Sequence, residues 1–225
     1  GDEFQLEAGI RIQGGASRTP SLKKHSLRLL FKDLYGASKL RFPLFGESAA
    51  NRFDTIYLRA NLGDSWPNRA TARRAHYTRD EFARRSELAM GQPVSHGTFV
   101  HLYINGIYWG LYNPVERPDQ SFSASYFGGE KDSWDALKHA GGGAIEVLSG
   151  SRDAWNTMLA IAREAMRGRQ EGRTAAFMRI QGRNPDGSDN PEWETYLDVD
   201  NNIDYVIVNT YVGNLDCCNH NFYMA

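Results

Sequence analysis

Apolar and polar residues alternate along Gly9-Ile10-Arg11-Ile12-Gln13 and again from Lys24 to Phe31, the period of a half-buried strand, with Gly14-Gly15 marking the turn between them. Asp54 to Arg59 puts Ile56 and Leu58 on one face of a further strand, and the polar run Asn61 to Asn68 follows as a loop. From about Ala70 to Met90 the chain lacks Gly and Pro and is rich in Ala, Arg and Glu, then meets Gly91 and Pro93, which predicts one long basic helix with a C-terminal stop. Thr98 to Tyr103 and Ile107 to Tyr112 flank Asn105-Gly106, a pair that tolerates the positive φ angles of a type I′ hairpin turn. Beyond Pro114 and Pro118, a short helix is expected over Lys131 to His139, broken by Gly141 to Gly143. Ser151 then caps a helix reaching about Arg167, with Trp155, Met158, Leu159, Ala162, Ala165 and Met166 on a core stripe. Gly182 to Pro191 is a surface loop, Asp200 caps a helix carrying Ile203, Val206, Ile207 and Tyr211, and Phe222-Tyr223-Met224 reads as a strand. No internal repeat interrupts this order. The pattern is α+β, with an N-terminal antiparallel sheet plus helix over about residues 1–118 and a mostly helical part over 119–225.

Composition narrows the function classes. At 225 residues, 41% hydrophobic, the chain can bury one large core or two intimate ones. Its 27 acidic and 26 basic residues nearly cancel, so binding to nucleic acid through overall charge is not expected and polyanion binding must come from local patches. No apolar run approaches the roughly 20 residues of a membrane span, and Gly1 to Gly9 does not read as a signal peptide. Starting on Gly and stopping just after a strand, the sequence reads as a piece of a longer protein. Cys217 and Cys218 are neighbours, which excludes a disulfide framework or a four-cysteine zinc site. The histidines show no HExxH spacing, and Asp198-Val-Asp200-Asn-Asn202 lacks the glycine and glutamate of a helix-hand calcium loop.

Chemistry concentrates in two places. Gly213-Asn-Leu-Asp216-Cys-Cys-Asn-His-Asn221 lies where an apolar helix returns to a strand. In kinase catalytic loops an Asp takes or orients the substrate hydroxyl proton and an Asn five residues on holds a metal; Asp216 and Asn221 have that spacing, which by itself also suits two turn residues capping backbone donors. Near the other end, Gly14-Gly15-Ala16-Ser17-Arg18 offers backbone NH groups, a hydroxyl and a guanidinium, with Lys23 and Lys24 following, the groups that cradle and neutralise phosphates.

Gly9-Ile-Arg-Ile-Gln-Gly-Gly-Ala-Ser-Arg18 with Lys23-Lys24-His-Ser-Leu-Arg-Leu-Leu-Phe31 resembles the opening motif of the spore-coat-protein-H-like (CotH) kinase family. Tyr77-Thr-Arg79-Asp80-Glu81-Phe82 with Leu88-Ala-Met-Gly91, then Tyr103-Ile-Asn-Gly-Ile-Tyr-Trp-Gly-Leu-Tyr112 with Val115-Glu116-Arg117, and finally Asn214-Leu-Asp216 with Asn221, resemble its successive segments in order. Two departures stand out. The family's Asn-Ser-Ser after the first glycine is Gly-Ala-Ser here, and a downstream Trp-Asp-x-Asp block that would supply a second metal-binding Asp does not occur before Ala225.

The resemblance implies an atypical protein kinase on a two-lobed kinase-like plan, transferring the ATP γ-phosphate to Ser or Thr of coat or surface proteins with Mg²⁺ or Mn²⁺. Asp216 would be the catalytic carboxylate and Asn221 a metal ligand. Gly14, Gly15, Ser17, Arg18 and one of Lys23 and Lys24 would meet phosphates, with Lys24 slightly favoured by strand alternation. Arg79 sits where a kinase places its lysine-pairing glutamate and would face either phosphate or an ordinary salt-bridged helix surface. Glu116 would fix the nucleotide or the geometry between lobes, or else form a structural ion pair. Secretion, or a spore or cell surface, follows from the family alone. Without the second carboxylate, little kinase activity is expected of these residues by themselves. A non-catalytic surface module that binds partner proteins, and transfer of AMP to protein hydroxyls, are the alternatives.

Overall fold

The computed structural model describes residues 3–139, 143–168, 170–215, 217 and 222–225. They form two compact units, residues 1–131 and 132–225.

The first unit is built on an antiparallel sheet. Its strands are β1 (Gly9–Gln13), β2 (Ser26–Leu30), β5 (Thr55–Arg59), β6 (Val100–Ile104) and β7 (Ile107–Glu116), in the order β1-β2-β5-β7-β6. The small pair β3 (Leu40–Arg41) and β4 (Arg52–Phe53) lies between β2 and β5 in the chain. Register follows the hydrophobic alternation, with Leu29 opposite Ile56 and Val100 opposite Tyr112. Phe31, Leu40, Phe53, Ile56, Leu58, Ala60 and Tyr112 are the buried cluster. The predicted hairpin between β6 and β7 is present: Asn105 and Gly106 take φ of 51° and 77°, the positive pair that a type I′ turn needs.

The long helix expected over 70–90 is instead a short 3-10 turn at Ala72–Arg74 followed by α1 (Arg79–Ala89). The break has a local cause. Tyr77 adopts φ 66°, a left-handed conformation that a helix cannot pass through, and the Asp64 carboxylate accepts from the backbone NH groups of His76 at 2.8 Å and Arg79 at 3.2 Å. Asp64 therefore caps α1 from a distant loop, since Thr78, the residue at the cap position, makes no side-chain cap. α2 (Gln120–Phe127) closes the unit, its first NH groups taken by Asp119 through Ser121 and Phe122.

The second unit contains α3 (Asp153–Arg167), α4 (Gln170–Ile180) and α5 (Val199–Tyr211). With them go three antiparallel strands, β8 (Ala136–His139), β9 (Ile145–Ser149) and β10 (Tyr223–Met224), in the order β10-β8-β9. The helix expected over Lys131 to His139 is reduced to a 3-10 turn at Lys131–Ser133 and gives way to β8; Leu137 and Lys138 find partners in Val147 and Glu146, and that pairing overrides a short helical pattern. Neither β9 nor α4 is anticipated from the sequence. The cap residue of α3 is Arg152 rather than Ser151, which stands one residue earlier and accepts from the Asp153 NH at 3.1 Å, and α5 is capped by Asp198 rather than Asp200, Asp198 Oδ1 accepting from Asn201 NH at 2.9 Å. The fold class is α+β, and its C-terminal part is helical with a small sheet.

Candidate active site

Lys24 enters the first unit just before β2. Lys23 beside it is exposed, while Lys24 is half-buried and turned toward the hairpin. Its ammonium donates to the Tyr77 hydroxyl and, at 2.5 Å, to the backbone carbonyl of Leu111. The Tyr77 hydroxyl donates to that same carbonyl. Aromatic rings surround the charge, the Tyr77 centroid at 4.4 Å and that of Tyr112 at 4.6 Å. Burial lowers the Lys24 pKa to about 8 and pushes the Tyr77 phenol upward. Among the described residues, Lys24 is within ion-pair distance of no carboxylate.

β7 is bulged just before Leu111, whose carbonyl Lys24 reaches. Leu102 pairs with Gly110 but Tyr103 pairs with Tyr108, so one strand carries an extra residue. Gly110 has φ 121°, and a Cβ on it would lie 3.6 Å from Lys24 Cε. The space exists; the backbone angle is what demands glycine.

Preceding β2, Gly14 has φ 127°, and a Cβ there would fall 1.9 Å from Ser17 Oγ. Gly15 opens on free space. Residues 16–18 form a single 3-10 turn, closed by Arg18 NH donating to the Gly15 carbonyl at 3.1 Å. The Ser17 carbonyl lies 2.8 Å from His25 Nδ1, tying this turn to the residue next to Lys24. Ser17 and Arg18 are therefore held on one compact turn.

Glu81 of α1 does not pair with Lys24. One oxygen accepts from Arg84 at 2.7 Å and Asn113 at 3.0 Å, the other from Arg85 at 2.7 Å. Burial acts to raise its pKa, but the donors Arg85, Arg84 and Asn113 outweigh burial and hold it below the usual carboxylate range. Asn113, fully buried on β7, also accepts from Arg84 at 2.6 Å and donates to the Thr98 carbonyl at 2.7 Å, so this knot fastens α1 to the sheet. Gly97 makes room for it, since a Cβ there would meet Glu81 Oε2 at 2.3 Å.

Arg79 is 3.7 Å from Asp64 and donates to the Arg74 carbonyl at 3.2 Å, the arrangement of a salt-bridged helix start. Glu116 is buried at the end of β7, where it accepts from the His96 backbone NH at 2.7 Å and from Tyr126 at 2.7 Å, with His96 Nδ1 at 3.0 Å. Burial raises its pKa against those contacts. Asp216 and Asn221 lie outside the described residues. Among the described residues, no group of three or more His, Cys, Asp and Glu is disposed to hold a metal.

A family model described as CotH kinase protein matches residues 10–225. The chain belongs to the CotH kinase family. No curated protein matches it. In this CotH-family chain the sequence motifs lead to Gly14 and the lysine pair, and they include Tyr77 and Leu111 without pointing to a role for either, while Asn113, which fastens α1 to the sheet, lies outside them. Gly110, a glycine inside an otherwise strand-like run, was the available hint of a bulge. Among the described residues no helix is long and apolar enough to cross a membrane.

Proposed function

We propose that this chain is the ATP-dependent catalytic domain of a Ser/Thr protein kinase acting on coat or cell-surface proteins, on a two-lobed kinase-like plan. The observation that carries the reading is Lys24. An ammonium has three N–H donors; two are spent on Tyr77 and Leu111, both uncharged acceptors, so among the described residues one donor and the whole positive charge remain for an anion. Phosphate oxygens suit that donor in chemistry and in charge.

When bound, ATP with Mg²⁺ or Mn²⁺ supplies the phosphoryl group and a cation that neutralises its charge. Lys24 donates to phosphate oxygens, while Gly14, Gly15, Ser17 and Arg18 offer the NH, hydroxyl and guanidinium groups of the phosphate-facing turn. Lys23, exposed beside them, adds longer-range positive charge. Asp216 accepts the proton of the substrate hydroxyl, and Asn221 is the metal ligand. Arg79 and Glu116, engaged by Asp64 and by His96 with Tyr126, support the frame in this reading.

The test combines MgATP binding, read by calorimetry, with transfer of labelled γ-phosphate to Ser or Thr, comparing wild type, Lys24→Met and Asp216→Ala. Binding lost in Lys24→Met is the expected result, together with transfer that is weak in wild type for want of a second metal-binding carboxylate and falls further in Asp216→Ala. Binding without transfer, untouched by Asp216→Ala, would assign the chain to a non-catalytic module; an added mass of AMP would replace the kinase reading with nucleotidyl transfer.

A further inference from the structure

We infer that Tyr77 is the positioning residue for Lys24, the role that a helix carboxylate would otherwise fill, and that it holds the lysine without consuming its charge. The inference rests on the phosphate-binding reading of Lys24 and names the residue that makes that lysine competent.

A helix carboxylate is present, but it is spent elsewhere. All of the Glu81 contacts described above go to Arg84, Arg85 and Asn113. Lys24 is oriented instead by a closed triangle of its ammonium, the Tyr77 hydroxyl and the Leu111 carbonyl, in which each atom bonds the other two. The phenol uses one lone pair to accept from Lys24 and its own proton to reach Leu111, so it fixes the direction of both.

Tyr77 is held in place by more than its hydroxyl. A bulky residue at φ 66° persists only where the surroundings over-determine it. Here its NH donates to the Asp64 carbonyl at 3.0 Å, and its carbonyl accepts from Asn61 Nδ2 at 3.0 Å. Its ring stacks on Trp66 with centroids 5.8 Å apart and planes 11° from parallel. The Tyr77 backbone angle also ends the preceding segment and sets the start of α1, so the same residue positions both the helix and the lysine.

A lysine held by uncharged acceptors differs from one held in an ion pair. An ion-paired lysine shares its charge with a carboxylate; this one, among the described residues, presents an uncompensated charge in a partly desolvated place, where attraction to an incoming anion is strengthened. Removing the phenol oxygen should therefore weaken anion binding and further disfavour the charged amine.

The experiment labels lysine Cε with ¹³C and follows Lys24 through a pH titration by NMR, in wild type and Tyr77→Phe, alongside calorimetry with MgATP. The wild-type midpoint is expected near 8. In Tyr77→Phe it should fall by about one pH unit and the MgATP Kd should rise about tenfold, the effect of losing one charge-assisted hydrogen bond. The Lys39 and Lys138 signals should stay in place as a folding control. Trp66→Leu, which removes only the exposed stacking ring, should move both readouts the same way by less, and it serves if Tyr77→Phe does not fold. A Lys24 midpoint and MgATP Kd unchanged in a folded variant overturn the assignment. If wild type binds no MgATP but the Lys24 midpoint moves in Tyr77→Phe, the positioning role stands and the nucleotide reading falls.

Discussion

Glu81 Oε2 accepts a hydrogen bond from Asn113 Nδ2 at 3.0 Å, linking the first turn of α1 to the inner strand β7 by side chains alone. Asn113 is fully buried and Glu81 nearly so, so neither can turn to water if the other is removed. Asn113→Ala should cost about 2–4 kcal/mol, the range for breaking a buried, charge-assisted network. Urea unfolding followed by tryptophan fluorescence measures it, and a loss below about 0.5 kcal/mol would show that α1 does not depend on this knot.

The same carboxylate makes stability depend on acid. Because the Glu81 pKa is held below that of an unfolded glutamate, its contribution is complete above the ordinary carboxylate range and is lost as pH falls through the folded value. The stability gap between wild type and Glu81→Gln should therefore narrow below about pH 4. Thermal melts from about pH 3 to about pH 7 read the trend.

Lys24 also makes stability rise with pH, but through a desolvation penalty that fades rather than a contribution that grows. Folded, it releases its proton near pH 8, against 10.5 in the unfolded chain. Between those values the unfolded chain binds more protons, so wild-type stability rises with pH. Lys24→Met removes a partly desolvated charge and should be the more stable protein at about pH 7, with its advantage shrinking as pH climbs from 8 towards 10.5. Melting temperatures of the two proteins at matched pH would show a constant difference if Lys24 is not desolvated.

Gly110→Ala tests the bulge just before the Leu111 carbonyl. With φ at 121° an alanine is strained there even though its Cβ would have room. The expected cost is about 1–3 kcal/mol, accompanied by weaker MgATP binding as the carbonyl turns away from Lys24. Gly46, also at positive φ but with nothing within 4 Å of where a Cβ would stand, is the comparison site: Gly46→Ala should cost stability and leave nucleotide binding unchanged.

Much of the sheet was legible in the sequence. Strands β1, β2 and β5 follow apolar alternation, and the Asn105-Gly106 turn follows from which residues tolerate positive φ. The helix over 70–90 was legible only in its second half. Composition is continuous through Tyr77, and what breaks the helix there is Asp64, a residue from another loop that captures the NH groups on both sides. Likewise the Lys131 to His139 segment carries a weak helical pattern that the cross-strand partners Val147 and Glu146 override. For the candidate site, the motifs locate Gly14, Ser17 and the lysine pair, while Asp216 and Asn221 lie outside the described residues.

The sequence by itself determined the family, the strand alternation, the hairpin turn and the residue types suited to phosphate, because each is written in local spacing or in ordered motifs. Only the tertiary structure decided which lysine turns inward and what holds it. Lys24, Tyr77 and Leu111 are far apart in the chain, and their hydrogen bonds exist only after β2, the α1 entry and the β7 bulge have come together. It also decided that Glu81 belongs to Arg84, Arg85 and Asn113 rather than to Lys24. No local pattern could have fixed that choice, since the competition among buried donors for one carboxylate is settled by packing.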